Sequence, residues 1–260
     1  ARAPDKRRDE VGELGRAMNQ MAGQVQRKID ELETAASQKQ QLIDNLAHEM
    51  RTPLTAIGGW AETMQRAQMD PEELREATDT ILFESRRVLA LSQQLLKLSV
   101  LRGEPLELAP VDAADLLHRV ERTIGPKARA RQVTFTVLPP AEPVVLLADE
   151  VLLERLLVNL CDNGVKACAA KGQVRLAVHS TPGRVLLTVT DNGRGMDRET
   201  LAHLGEPFYR ADKARSRAEG GAGLGLSLCF AIARRHGALL EFESKPGHGT
   251  RATVTFTTSQ

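Results

Sequence analysis

Aromatic residues are scarce in this chain: phenylalanine, tyrosine and tryptophan make up only 3% of its 260 residues. Hydrophobic residues as a whole still reach 42%, so leucine, valine and alanine must fill the protein cores. The sequence also has no apolar run of the roughly 18 residues that a membrane-spanning helix needs. Its length allows for about two domains.

Net charge and cysteine are low as well. The 35 lysines and arginines nearly balance the 34 acidic residues, and the two signs are interspersed, which gives no support to nucleic-acid binding. The three cysteines, Cys161, Cys168 and Cys229, are odd in number and lack the spacing of metal ligands. We expect them to be small buried side chains in a reducing compartment.

Residues 45–54, Asn-Leu-Ala-His-Glu-Met-Arg-Thr-Pro-Leu, are the most informative segment. The apolar residues around the histidine recur at helical spacing and are Leu42, Ile43, Leu46 and Met50. We therefore expect His48 at the edge of a buried stripe, with access to water. One imidazole nitrogen can act as a nucleophile while Glu49 holds the other and takes its proton. Pro53 predicts a bend in the helix one turn beyond His48. The alternative interpretation of His48 is an ordinary surface histidine beside an acid.

The segment from His48 to Leu54 resembles the phosphoacceptor box of sensor histidine kinases, His-Glu-x-Arg-Thr-Pro-Leu, at every fixed position. The resemblance implies that His48 accepts the γ-phosphoryl group of ATP and that Glu49 orients His48. It also implies that Thr52 positions water if the protein dephosphorylates its partner. Such a kinase also needs an ATP-binding site.

Two long helical patterns occupy the first part of the chain. A narrow apolar seam in steps of three and four, typical of a coiled coil, runs along residues 9–32, weakens, and resumes to about Ala67. Its first positions are Leu14, Met18, Met21, Val25, Ile29 and Leu32. Residues 69–73, Met-Asp-Pro-Glu-Glu, predict a stop, a cap and a second helix from about Glu72 to Val100. Because this hairpin cannot bury both stripes alone, we expect a homodimer with a four-helix bundle.

The opening of the chain resembles the second helix of a HAMP relay module, in Asp-Glu-Val-Gly-Glu-Leu from residue 9 and Met-Asn-Gln-Met from residue 18. An ordinary dimeric helix is the alternative. Because the chain starts at Ala1 within a motif, we expect it to be the cytoplasmic portion of a longer bacterial sensor. The upstream transmembrane sensor region would anchor that protein in the inner or plasma membrane.

The pattern changes to alternating strands and helices after residues 102–105, Arg-Gly-Glu-Pro. The predicted strands are 133–138, 144–147, 174–179, 185–190, 239–243 and 251–256. The predicted helices lie near 112–124, 149–170 and 224–236. This order predicts a mixed α/β sandwich with helices on one face of the sheet.

The helix expected to begin at Asp149 carries polar residues on one face. Asn159 and Asn163 are four residues apart and Lys166 is three further, so they lie together. Its other face is apolar, with Leu152, Leu153, Leu156, Leu157 and Leu160 as predicted core residues. Amide oxygens can ligate a hard cation, and a lysine can pair with phosphate. The alternative is that this polar face is simply exposed to solvent.

Asp191 ends an apolar strand and is followed by Asn-Gly-Arg-Gly-Met. Gly193 and Gly195 let the backbone turn sharply and approach a flat ligand. A buried carboxylate here could accept a hydrogen bond from an exocyclic amine such as that of adenine. A simple strand-ending turn is the alternative.

Residues 220–228, Gly-Gly-Ala-Gly-Leu-Gly-Leu-Ser-Leu, open an amphipathic helix whose first amides could bind an anion. They fit neither a Rossmann nor a Walker loop. The stretch before them is too long for a plain connection, and we interpret it as a mobile, positively charged lid rather than a flexible basic loop. Its aromatic and basic residues are Phe208, Tyr209, Arg210, Lys213, Arg215 and Arg217.

These elements together resemble the N, G1, F and G2 boxes of the Bergerat (GHKL) ATP-binding fold in its histidine-kinase form, over residues 149–252. The resemblance implies ATP and Mg²⁺ as cofactors, with Asn159 as the Mg²⁺ ligand. It implies that Asn163 and Lys166 contact phosphate or ribose and that Asp191 recognises adenine. The glycines implied to line the adenine pocket or cradle the phosphates are Gly193, Gly195, Gly221, Gly223 and Gly225.

Arg215 is the lid residue implied to touch the γ-phosphate, and residues 244–250 fit the end of the same domain. Two positions depart from the family pattern. Ala167 stands where an aromatic residue often covers the nucleotide, and Ala222 stands where threonine is common. The first departure could weaken nucleotide affinity and the second could loosen the lid, but neither removes a metal or adenine contact.

The sequence therefore predicts a multidomain α and α+β protein. A partial HAMP helix and linker would span residues 1–34, a dimerisation and phosphotransfer hairpin 35–103, and a Bergerat-type catalytic domain 104–260. The expected function is autophosphorylation of His48 from ATP, transfer to an aspartate of a response regulator, and possible dephosphorylation of that regulator. A Bergerat ATPase clamp and a catalytically degenerate dimeric scaffold are the alternatives.

Overall fold

The computed structural model of the chain describes residues 10–100, 105–207, 209 and 224–257. The chain divides into two compact units, Ala1–Gln68 and Met69–Gln260. Among the described residues, no helix is both long enough and apolar enough to cross a membrane.

The first unit contains one long helix, α1 (Glu10–Arg66). The two apolar patterns predicted on either side of residues 32–42 therefore belong to a single helix. The helix also continues through Pro53 to Arg66, and the bend predicted at this proline stays a prediction. The seam is exposed in the single chain, at Leu14, Met18, Met21, Val25, Ile29 and Leu32. A row of exposed apolar side chains on a polar helix is what a coiled-coil partner would cover.

The second unit begins with α2 (Pro71–Val100). The Asp70 carboxylate accepts hydrogen bonds from the backbone N–H groups of Glu72 and Glu73, both at 2.9 Å. The Glu73 carboxylate in turn accepts the N–H of Asp70 at 3.0 Å. This reciprocal pair satisfies amides that a helix start leaves without intrahelical partners. The predicted cap with proline in the first helical position is confirmed.

The rest of this unit is built on two sheets. An antiparallel pair consists of β1 (Ala109–Asp112) and β3 (Val145–Ala148). A five-stranded sheet has the order β2 (Thr134–Leu138), β4 (Gln173–Thr181), β5 (Arg184–Asp191), β7 (Gly249–Thr257) and β6 (Leu239–Lys245). Strands β2 and β4 are parallel, and the other neighbours are antiparallel.

One apolar core joins this sheet to helices that lie on one of its faces. The helices are α3 (Ala113–Ala130), α4 (Glu150–Ala167) and α6 (Gly225–Arg235). A short helix, α5 (Arg198–Ala202), follows β5 in the chain. Alternate residues of β5 are buried, and the core also contains buried residues of α3, α4 and α6. Leucines predicted as the core of α4 are buried, except that Leu152 is only partly so. The predicted sandwich with helices on one face is confirmed.

Three details of the predicted elements need correction. Strand β1 was not predicted, since its four residues become a strand only by pairing with β3, far along the chain. Helix α5 was not predicted either. The helix predicted near 112–124 continues past Pro126 to Ala130, because Ile124 and Ala128 on either side of the proline are buried in the core. Every strand that was predicted is present, with ends moved by one or a few residues.

Candidate functional site

His48 lies within α1 and is exposed to solvent, as predicted from the apolar pattern. Glu49, the next residue, is half-buried, and Thr52 is exposed. Pro53, just beyond, is buried. An exposed imidazole with a carboxylate beside it in sequence has the access and the neighbouring base that a histidine nucleophile needs.

Helix α4 positions the predicted polar face. Its N-cap is Asp149, whose carboxylate accepts the N–H of Leu152 at 3.0 Å. A second contact holds the same residue, because the N–H of Asp149 donates to Nε2 of His236 at 3.0 Å. Nδ1 of that imidazole lies 2.9 Å from the carbonyl oxygen of Ile232, so Nδ1 carries the proton and Nε2 is the acceptor. The start of α4 is thereby tied to the end of α6.

Asn159 is half-buried on α4 and contacts a buried thiol on α6. The Cys229 thiol lies 3.7 Å from the carbonyl oxygen of Leu156, to which it donates. Burial raises the pKa of Cys229 to about 12, although the hydrogen bond from the Asn159 amide opposes this. The amide group of Asn159 also carries a carbonyl oxygen, a group that can accept from water or bind a cation.

Lys166 already has an anionic partner in the structure. Its ammonium lies 2.6 Å from the carboxylate of Asp162, one turn earlier on α4, and Lys127 of α3 lies 3.2 Å from the same carboxylate. Burial alone would raise the pKa of Asp162, but the two ammonium groups hold it below its usual value. A phosphate that contacts Lys166 would therefore share this lysine with Asp162. Asn163, the third predicted residue of this face, is half-buried.

Asp191 ends β5 with only 8% of its surface exposed. Burial raises the pKa of its carboxyl group, and hydrogen bonds from the backbone N–H groups of Gly193 and Thr250 act in the opposite direction. The Gly193 bond is 2.8 Å long. The structure thus contains the buried, anchored carboxylate that was predicted at the end of this strand. A group in this position can accept a hydrogen bond from a ligand amine.

The two glycines after Asp191 are required by close packing of the backbone. A Cβ atom on Gly193 would lie 2.7 Å from the carbonyl carbon and oxygen of Ala167, at the end of α4. Gly195 has a positive φ of 65°, and a Cβ atom there would overlap the carbonyl oxygen of Lys245. The turn is therefore held between the C-terminus of α4 and the β6–β7 turn. Sequence analysis predicted a close approach here, but not which segments make it.

Ser244 and Thr250 are polar residues of this region whose individual roles were not predicted. Their hydroxyl groups lie 2.9 Å apart, and the strand register places Thr250 directly opposite Asp191. The sequence signal that could have indicated a role is a hydroxyl residue at one end of β6 and of β7, two strands with alternating apolar residues. That signal becomes meaningful only when the strand pairing is known.

Part of the predicted site lies outside the described residues: Arg215, Gly221, Ala222 and Gly223. Gly225 is described and is the first residue of α6. The residue before it, Leu224, makes no side-chain capping bond to the helix start. Within the part of the chain that the structure describes, no side chain caps the first amides of α6, and amides at a helix start can bind an anion.

Family models match three successive parts of the chain. A HAMP domain model matches residues 1–27, and the His Kinase A (phospho-acceptor) domain model matches residues 38–104, which include His48. The model of the histidine kinase-, DNA gyrase B- and HSP90-like ATPases matches residues 148–260, which include Asn159 and Asp191. The order of these matches is the order predicted from the sequence motifs.

Individual relatives agree with these matches. The sensor histidine kinase YkoH of Bacillus subtilis is 34% identical over 250 residues, which are 95% of this chain and 52% of YkoH. The crystal structure of full-length ShkA with AMPPNP has a TM-score of 0.60 and 29% identity, covering 85% of this chain and 46% of ShkA. The crystal structure of the histidine kinase ThkA in complex with the response regulator protein TrrA has a TM-score of 0.67 at 22% identity. The match covers 96% of this chain and 68% of the ThkA chain.

The chain spans about half the length, or less, of curated relatives that it matches: 52% of YkoH and 38% of the alginate biosynthesis sensor protein KinB of Pseudomonas aeruginosa. Within that span it has a phosphoacceptor helix with an exposed histidine, followed by an ATPase domain with a buried carboxylate at the end of β5. The helical hairpin region and the α/β domain together have the architecture of a phosphoacceptor domain joined to a GHKL domain. The chain belongs to the sensor histidine kinase family.

Proposed function

We propose that this chain is the phosphotransfer and ATP-binding part of a sensor histidine kinase, in which ATP phosphorylates His48. The observation that carries the proposal is the presence, in one chain, of an exposed His48 in a phosphoacceptor match and a buried, anchored Asp191 in an ATPase match. A Bergerat ATPase clamp would have no need of the phosphoacceptor helix.

His48 supplies the nucleophile. In its neutral form one imidazole nitrogen attacks the γ-phosphorus of ATP, the bond from that phosphorus to the bridging oxygen breaks, and ADP leaves with the bond electrons. Glu49 is the base that takes the proton from the other nitrogen, since it is the adjacent carboxylate on the same helix. The phosphohistidine then passes its phosphoryl group to an aspartate of a response regulator.

The residues around Asp191 fit an adenine nucleotide. The carboxylate, held by the N–H group of Gly193, accepts a hydrogen bond from the exocyclic amine of adenine. Asn163 and Lys166 contact phosphate or ribose, and Arg215 reaches the γ-phosphate. Gly193 and Gly195 line the adenine pocket, and the amides at Gly221, Gly223 and Gly225 bind the phosphates. The AMPPNP complex of the relative ShkA supports ATP as the nucleotide.

Mg²⁺ fits the donor set at Asn159. Among the described residues no group of three or more histidine, cysteine or acidic side chains could hold a metal ion. Mg²⁺ commonly binds through one or two protein oxygens, with phosphates and water completing its shell, and the Asn159 side chain has a carbonyl oxygen of the kind that takes this role. When bound there, the ion neutralises phosphate charge during transfer.

The chain acts as a homodimer, with the exposed seam of α1 as part of the interface. The seam residues are apolar and line one side of an otherwise polar helix, so a second copy would cover them. The HAMP match before the phosphoacceptor segment supports a membrane-anchored sensor whose signal arrives from upstream, and a cytoplasmic location for the part described here. Thr52, exposed one turn after His48, positions water when the protein dephosphorylates its response regulator.

The test is incubation of the full chain with γ-labelled ATP, with Mg²⁺ or with EDTA. We expect acid-labile, alkali-stable label on the wild type with Mg²⁺, and none on His48→Gln or Asn159→Ala. His179→Gln is the matched control, because His179 is also exposed but lies on β4 outside the phosphoacceptor match. Equal labelling of His48→Gln and wild type, or ATP hydrolysis without any labelled protein, contradicts the proposal.

A further inference from the structure

The helix-covered face of the five-stranded sheet ends in a row of three polar side chains. The strand register places Asp191 of β5 opposite Thr250 of β7, and Thr250 opposite Ser244 of β6. The next row, two residues along each strand, is apolar and consists of Val189, Ala252 and Phe242. Directly opposed residues in antiparallel strands point to the same face, so the three polar side chains adjoin at the edge of the core.

Ser244 has three hydrogen-bond partners but only one proton. Its Oγ lies 2.8 Å from the nitrogen of Met196, 2.8 Å from the carbonyl oxygen of Gly249 and 2.9 Å from Oγ1 of Thr250. The Met196 N–H can only donate, and the Gly249 carbonyl can only accept, so the Ser244 proton goes to that carbonyl. The remaining bond then requires that the Thr250 hydroxyl donates to Ser244. The direction of all three bonds is fixed by this count.

This direction determines what Thr250 offers to a ligand. With its only hydroxyl proton directed at Ser244, Oγ1 of Thr250 has lone pairs left and no donor. The side chains of Asp191 and Thr250, which the register places side by side, therefore present only hydrogen-bond acceptors. A purine with an amine at position 6 brings donors to such a surface, whereas a 6-oxo group brings another acceptor.

We infer that Ser244 is a positioning residue for purine selection: by taking the Thr250 proton it keeps the side chains beside Asp191 acceptor-only, which favours the 6-amino group of adenine over the 6-oxo group of guanine. The inference rests on the proposed function in one respect, that a nucleoside triphosphate binds at Asp191. Without Ser244, the Thr250 hydroxyl is free to rotate and donate, so the pocket loses its bias against a 6-oxo group.

The experiment measures binding of ATP and of GTP to the 260-residue chain with Mg²⁺, by displacement of a fluorescent ATP analogue and without reference to catalysis. For Ser244→Ala we expect ATP affinity to fall about fivefold, the usual effect of one neutral hydrogen bond, while GTP affinity holds or rises. The ratio of the two affinities then falls at least fivefold. Ser244→Thr keeps a hydroxyl at this position and should recover most of the wild-type ratio.

Thr188→Val is the matched control, because Thr188 lies on the same sheet but pairs its hydroxyl with Ala177, at 3.5 Å, away from the polar row. It should leave both affinities unchanged. Equal losses for ATP and GTP in Ser244→Ala overturn the inference in favour of a purely structural role, and so does an unchanged ratio. If the wild type binds ATP and Ser244→Ala gives either of these results, only the inference about Ser244 fails and the proposed function stands. A wild type that binds neither nucleotide overturns both.

Discussion

Replacing Gly195 with alanine tests how closely the turn after Asp191 is packed against the β6–β7 turn. The new Cβ would overlap the carbonyl oxygen of Lys245 and lie 3.1 Å from that of Gly249. Both oxygens belong to backbone, so the hairpin itself must move away. Gly183→Ala is the matched control, because its φ of 77° is similar and a Cβ there would meet nothing within 4 Å.

The magnitude follows from adding the backbone and steric effects. Holding alanine at positive φ costs about 1 kcal/mol, and both variants carry that cost. In Gly195→Ala, separation of the two turns also weakens the bond from Met196 N–H to Ser244 and the 2.7 Å bond from Gly247 N–H to the Arg194 carbonyl. At about 1 kcal/mol for each bond, the total loss is about 3 kcal/mol, against about 1 kcal/mol for the control.

Differential scanning calorimetry is the suitable assay. The chain has one tryptophan, Trp60, and it lies in α1, so its fluorescence does not report on the α/β domain. For a unit of this size, each kcal/mol lowers Tm by roughly 2–4 °C, so we expect a decrease of about 6–12 °C for Gly195→Ala and about 2–4 °C for Gly183→Ala. Equal decreases in the two variants would show that the steric part of the reasoning is wrong.

Three further predictions concern the packing of α4. Asp162→Asn should flatten the acid side of the stability curve, because ionisation of this carboxyl, whose pKa is lowered, stabilises the folded state at neutral pH and that contribution is lost as pH falls below about 4. Urea titrations at about pH 3–7 measure the slope, and a slope equal to that of the wild type would contradict the reasoning. His236→Ala removes the acceptor of the Asp149 N–H and should cost about 1–2 kcal/mol in urea unfolding, whereas exposed His179→Ala should cost almost nothing. Leu157→Ala should cost about 3–5 kcal/mol because this side chain is fully buried, and a loss below 1 kcal/mol would contradict its place in the core.

Local signals in the sequence were sufficient for the helix starts. Asp70 before proline and Asp149 before a leucine-rich pattern each predicted a cap that the structure contains. These caps act within four residues, so the sequence carries the information directly. The same holds for the exposed position of His48, which follows from the apolar residues around it on one helix.

Long-range contacts could not be predicted in this way. β1 is a strand only because it pairs with β3, and the segments that approach Gly193 and Gly195 come from α4 and from the β6–β7 turn. The expectation of buried cysteines was correct for Cys161 and Cys229, whereas Cys168 is only partly buried. Residue type indicates whether a residue tends to form a strand, a tight turn or a buried position. The register of the sheet determines which distant residues it contacts.

The continuity of α1 fixes an angular relation along its length. At 1.5 Å and about 100° per residue, the 38 steps from Glu10 to His48 correspond to about 57 Å of helix axis with a set rotation between its ends. A helix with an unbroken hydrogen-bond ladder resists both stretching and unwinding more than a flexible linker does. A rotation or axial shift of α1 within the residues of the HAMP match therefore changes the direction that His48 faces, and the number of intervening residues sets the angle of that change.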